Sequence, residues 1–213
     1  MTGLNSILPA LTALCLTVLF SGCSQSPAPV AVPNNVTTVT GGYPFALQVK
    51  KSMARDAHLT CVLVDLDRSH DRFQVQNITY GFASTNGHGR VFAIEVDNLT
   101  RQAFGAVDAP EIPRNPFIPA TTFPPLDLAN VRKEISDALE IAQTNGLAEF
   151  GALAPGKSGN VSLRLGTEEA GAVWRITGDG WDEKGPIADL SIVIDAKTGK
   201  VLDHTLQKAV NRR

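Results

Sequence analysis

The residues best equipped for chemistry fall into a few groups. Gly151-Ala-Leu-Ala-Pro-Gly-Lys157-Ser158 has the spacing of a phosphate-binding loop, in which backbone N–H groups and a lysine surround phosphate oxygens at the start of a helix. Such a loop follows a strand and opens a helix. Here a helical pattern precedes it and the strand-like run from Asn160 to Gly166 follows, so the segment reads as a helix-to-strand connection and no nucleotide is expected. Asp65, Asp67 and Asp71 could offer oxygens to calcium, as could Asp179, Asp182 and Glu183, but neither group has the ligand register or the closing bidentate Glu of a calcium loop. They read as solvated turn carboxylates, with no metal expected. His58, His70, His88 and His204 lack zinc-helix spacing, and no Gly-x-Ser-x-Gly elbow offers an activated serine. The reading is therefore of a protein that is not an enzyme, with no catalytic residue and no cofactor.

One tryptophan invites a different chemistry. Trp181 stands between Gly180 and Asp182 in the polar run Thr177-Gly-Asp-Gly-Trp-Asp-Glu-Lys-Gly185, where an exposed indole would be an interface anchor and a folded-back one would cover its own sheet. Trp174, alternating with Val173 and Ile176, reads as core.

Bulk charge courts no polyanion. Nineteen basic and twenty-one acidic residues nearly cancel, so nucleic acid is not expected as a partner. At 213 residues and 43% apolar content the chain can bury a core.

The amino terminus carries the strongest signal. No Lys, Arg, Asp or Glu occurs before Lys50, and residues 7–20 (ILPALTALCLTVLF) form an apolar run too short for a membrane span and suited to a signal-peptide core. Phe20-Ser21-Gly22-Cys23 follows and resembles the bacterial lipobox, although Phe20 stands where Leu is usual and no basic residue precedes the run. The resemblance implies cleavage before Cys23 and lipidation of its thiol with acyl chains of the palmitate class, which together anchor a protein far more firmly than one chain does. It places the protein in the bacterial cell envelope, tethered to a membrane through lipid, and Ser24 favours the periplasmic face of the outer membrane where the cell has one. An ordinary secretory peptide or an uncleaved anchor is the alternative. Cys15 would leave with the leader and Cys23 would carry lipid, so Cys61, in the apolar run Thr60–Leu66, would be a lone buried thiol.

The positions of helix, strand and punctuation divide the rest. Residues 1–22 are the leader, and 23–42 mix Pro, Ser, Thr, Asn and Gly as an extended tether would. Residues 43–107 form a first folded unit, 108–125 a linker containing six prolines, and 126–207 a second unit. In the first, Pro44 opens a helical pattern with Ala46, Val49, Met53 and Ala57 on one face, and strands are predicted over 59–66, 72–83 and 90–97. In the second, Asp127 caps a helix through Leu128, Val131, Ile135, Leu139 and Ala142 that ends near Gly146, and strands are predicted over 160–165, 171–177 and 188–195. The run from Val91 to Phe104 aligns with that from Asp189 to Leu202, Asp97 falling on Asp195 and Thr100 on Thr198, which suggests an internal repeat. The expected fold class is α+β, as two repeated units, each one helix packed on a small antiparallel sheet.

The helix, the run around Trp174 and the segment from Ile194 to Val201 (IDAKTGKV) resemble the PepSY domain family over about residues 126–204, with the first unit a degenerate copy. That family occurs in peptidase propeptides and exported proteins. The resemblance implies a binding module whose partner is a protein or peptide, such as an envelope peptidase that it modulates. A structural envelope lipoprotein without a regulated partner is the other reading.

Overall fold

The two inner strand edges do not stay edges. In the computed structural model, which describes residues 27–69, 72–84, 91–107, 124–155 and 159–208, the described strands join one sheet in the order β1-β5-β4-β3-β2-β6-β7-β8-β9. The strands are β1 (Val30–Ala31), β2 (His58–Ser69), β3 (Arg72–Ala83), β4 (Val91–Asp97), β5 (Gln102–Val107), β6 (Gly159–Glu168), β7 (Gly171–Asp182), β8 (Gly185–Asp195) and β9 (Val201–Lys208). All are antiparallel to their neighbours. Strands β2 and β6 pair from Cys61↔Gly166 to Val64↔Leu163.

This corrects the expectation of two repeated units, each a helix on its own small sheet. One nine-stranded antiparallel sheet runs through the described body, with one long helix, α1 (Val39–Met53). The physical reason lies in β2 and β6. Val62, Val64, Leu163 and Leu165 all face the helix side and are buried, so separating the strands would bare both their apolar faces and two rows of backbone N–H and C=O groups.

The predicted strands are present and mostly longer than their sequence patterns, but the helices differ. Helix α1 begins five residues before Pro44, capped by Thr38, whose Oγ1 accepts from Gly41 N at 3.1 Å. Residues from Val30 on therefore belong to the body instead of the expected tether: Val30 and Ala31 pair with Ala103 and Gln102, and Val32, Val36 and Val39 are buried. Asn98 pins this segment, its Oδ1 accepting from Val36 N at 2.7 Å while its Nδ2 donates to Val36 O at 2.8 Å and Val75 O at 3.0 Å. In the second half Asp127 caps a single 3-10 turn, Leu128–Asn130, and not the helix. Helix α2 (Ile135–Ala142) starts at Glu134 and runs into a π-type turn that breaks at Asn145 and Gly146, the latter at φ +109°, before α3 (Ala148–Leu153).

Gly178 and Gly180 of the polar run Thr177–Gly185 are buried in the core, whereas Gly185 makes the turn at φ +115°. Thr177 to Asp182 continue β7, and Gly178 lies so close to the Phe150 ring of α3 that a side chain there would meet it at 2.9 Å. Gly159 and Gly180 make the same room for Phe150 and Ala154. Bare backbone on β6 and β7 thus lets a short helix sit close, and Phe150 is fully buried.

Glu134 ties the halves together. Its carboxylate accepts from Val39 N at 2.8 Å, Thr40 N at 3.2 Å and Thr40 Oγ1 at 2.5 Å, so a residue that begins α2 also caps α1 from 95 positions away. Its own N–H donates to Asp137 Oδ2 at 2.9 Å. Beside it Tyr80, buried beneath α1, donates its hydroxyl to Val39 O at 2.6 Å. Burial, then the nearby Glu134 charge and Tyr43, push the Tyr80 phenol far above its ordinary value, so it stays a neutral donor.

Candidate functional site

The turn Asp195-Ala-Lys-Thr-Gly199 is built by its own side chains. Asp195 Oδ1 accepts from Lys197 N at 2.9 Å and Thr198 N at 2.7 Å, Gly199 takes φ +78°, and Gly199 N donates to Asp195 O at 2.8 Å. Ala196, fully buried, is the docking point: its carbonyl accepts from Arg132 N and Lys133 N, and its N–H donates to Ala172 O. The residues that carry the family resemblance therefore hold the start of α2 against the sheet. The turn at Asp97 uses the same bonds, from Leu99 N at 2.7 Å and Thr100 N at 3.2 Å, with Arg101 at φ +54° in the position of Gly199.

These carboxylates titrate in the direction their bonds dictate. The Thr198 N–H, aided by Lys197, holds Asp195 below the ordinary 3.8, and at Asp97 the bonds from Thr100 and Leu99 together outweigh the opposing effect of burial. A carboxylate depressed in the folded state contributes stability that is present above about pH 4 and lost as pH falls through its folded value. Both groups are well solvated, so each contribution is small. Melting temperature should fall on acidification below about pH 4, and less steeply in the Asp97→Asn/Asp195→Asn double variant; equal slopes would remove the turns from the acid response.

The Asp195 turn forms one wall of a cleft of about 290 Å³, closed by Asp127, Asn130, Thr167, Gly171 and Lys197. Its carboxylates already have donors, since Asp127 accepts from Ala129 N at 2.9 Å and Asn130 Nδ2 at 3.0 Å. Across Thr167 a smaller cleft of about 120 Å³ lies on the sheet face away from the helices, lined by Thr60, Pro124, Arg164, Glu168 and Arg175 among others. Arg164 and Arg175 are direct cross-strand partners, and Arg175 Nη2 pairs with Glu168 Oε1 at 2.7 Å. Cys61, a buried free thiol, has its pKa pushed up by burial against a weaker downward pull from Arg164, as suits a packed side chain and not a nucleophile.

The other chemically interesting residues stay apart. Asp65 and Asp67 lie on β2, whereas Asp71 falls outside the described residues. Asp182 Oδ1 accepts from Lys184 N at 2.7 Å in the β7–β8 turn. No group of three or more His, Cys, Asp or Glu able to hold a metal exists among the described residues. His58 and His204 are on β2 and β9, while His70 and His88 fall outside the described residues, as do Lys157, Ser158, Cys23 and residues 108–123. The Gly151-to-Ser158 segment begins inside α3, whose last residues are Gly151 to Leu153, and β6 opens after it at Gly159, the helix-then-strand order read from the sequence. Trp174 is fully buried, and Trp181, at the end of β7, is 57% exposed opposite Pro186. Sequence reasoning passed over Glu134, although an acidic pair spaced three apart, Glu134 and Asp137, is a helix-start signal.

No helix among the described residues is long and apolar enough to cross a membrane. No protein-family model and no curated protein matches the chain. Among solved structures, a chain from Clostridium difficile 630 named as a candidate lipoprotein is similar to this one at 18% identity and a TM-score of 0.45, over 78% of this chain and 92% of that one.

Proposed function

We propose that this protein is a bacterial envelope lipoprotein, acylated on Cys23, whose folded body binds a protein or peptide partner and catalyses nothing. The observation that carries the reading is positional. Small Ser21 and Gly22 precede Cys23 directly after an uncharged apolar run, residues 7–20, of the length of a leader core.

For the partner, Trp181 supplies an aromatic anchor, and β9, which among the described residues has no strand on its outer side, supplies a sheet edge, the two elements a bound peptide uses. Strand β9 is the edge of the sheet opposite β1, the described strand nearest in sequence to Cys23. The resemblance of Ile194–Val201 to PepSY domains makes an extracytoplasmic peptidase the partner class to test. A structural envelope lipoprotein without a regulated partner is favoured by one fact, that the side chains of this turn are spent on building it and the Ala196 backbone on holding the segment that leads into α2.

Intact mass of the protein from native membranes tests the anchor. The expected species begins at Cys23 and carries the acyl chains, whereas Cys23→Ala accumulates as the precursor with residues 1–22 attached. Normal cleavage of the variant, or an unlipidated wild-type chain, overturns the anchor. Pull-down with wild type and Trp181→Ala then tests binding, and a partner retained equally by both removes Trp181 from the interface.

A further inference from the structure

Charge is distributed unevenly about the point where the chain enters the fold. No acidic residue precedes Asp56, while Lys50, Lys51 and Arg55 come before it; beyond Arg55 follow sixteen basic and twenty-one acidic residues. The three cations gather at the C-terminal end of α1, where Lys51 and Arg55 are exposed and Lys50 Nζ donates to Arg55 O at 2.6 Å. Asp56, the nearest acid in sequence, accepts from Ser84 Oγ at 2.7 Å.

This end of α1 adjoins Pro27. Gly105 on β5 faces both Met53 and Pro27, so closely that a methyl group there would meet Met53 Cε at 3.1 Å and Pro27 Cγ at 3.3 Å. Met53 lies between Lys51 and Arg55 in sequence, and Pro27 is four residues from Cys23. Four residues span at most about 14 Å when fully extended. A cysteine acylated there holds the cationic end of α1 within roughly one to two screening lengths of the lipid headgroups at physiological salt.

We infer that Lys50, Lys51 and Arg55 form a membrane-facing surface that docks on anionic lipid headgroups beside the anchor. The inference rests on the reading of Cys23 as lipidated. Attraction at this end turns the β1–β5 edge toward the bilayer, while the acidic excess of residues 126–184, ten acidic against six basic, resists approach of that part of the body. The acyl chains supply attachment and the cations supply orientation, since tethering raises the local concentration of headgroups around a patch too weak to bind alone.

The test uses the lipidated full chain in vesicles of phosphatidylcholine alone or mixed with phosphatidylglycerol, with lysine acetylation read by mass spectrometry. Lys50 and Lys51 should react roughly threefold or more slowly in the anionic vesicles, and the difference should vanish at high salt. Lys197 and Lys200, in the β8–β9 turn, should react equally in both. Lys51→Glu/Arg55→Glu, at exposed positions, should abolish the protection of Lys50. Equal reactivity of Lys50 and Lys51 in the two vesicle types, or protection that survives high salt, overturns the surface while leaving the anchor standing. Intact mass of the same sample reads the anchor separately, and an unlipidated Cys23 overturns both.

Discussion

Replacing Trp174 with alanine is expected to lower the unfolding free energy by about 3–5 kcal/mol, a large part of what a domain of this size possesses. The indole is fully buried, faces Leu165 and Ile194 across β6 and β8, and donates from Nε1 to Lys133 O at 2.7 Å. Two losses combine in the variant, a cavity under α2 and a carbonyl deprived of its donor. Trp174→Phe separates them, because it retains much of the packing and removes the donor; it should cost about 1–2 kcal/mol. Urea unfolding followed by circular dichroism gives both numbers. An alanine variant with the midpoint of wild type would mean that this part of the core is not packed as described.

Glu134→Ala is expected to cost about 2–3 kcal/mol, more than an ordinary helix cap, because the carboxylate caps α1 as well as sharing the capping box of its own helix. Three donors lose their acceptor at once: Val39 N, Thr40 N and Thr40 Oγ1. Glutamine keeps an acceptor without the charge and should recover roughly half of the loss. Hydrogen exchange is the sharper measurement. The Val39 and Thr40 amides should exchange faster in the alanine variant while the β7–β8 ladder keeps its protection, and uniform acceleration would instead mean that the carboxylate merely adds global stability.

These two residues also mark where the sequence is transparent and where it is opaque. The strands were legible because alternation is local: Val62 and Val64, or Leu163 and Leu165, declare a buried face without reference to anything distant. The Asp195 turn was legible for the same reason, its aspartate, threonine and glycine each meeting a local backbone need. Trp174 could be assigned to the core, but its bond to Lys133 could not, since 41 residues separate the partners. The pairing of β2 with β6 was equally hidden. Two half-sheets with apolar inner strands have the same alternation whether they stay apart or merge, and only the energy of the unpaired edges decides. The glycine-rich run before Asp182 misled because glycine serves turns and close packing alike, and the Phe150 that requires the space lies on another element. Of the candidate surfaces, Trp181 was visible as a residue type out of place, whereas both clefts depend on distant segments meeting at Thr167.

The short first strand has a mechanical meaning. A chain held ahead of Pro27 and loaded by something attached at β9 carries tension across the sheet, along the direction of the ladder hydrogen bonds. Bonds loaded this way peel in succession, and the first in line are the Val30 and Ala31 pairs with β5 and the bond from Val32 N to Arg101 O. Behind them stands the Asn98 clamp on Val36, and behind that the Glu134 cap on α1. Under such a load residues 30–38 would give way before the wider ladders between the central strands, releasing about 30 Å of chain while the rest of the sheet stays whole.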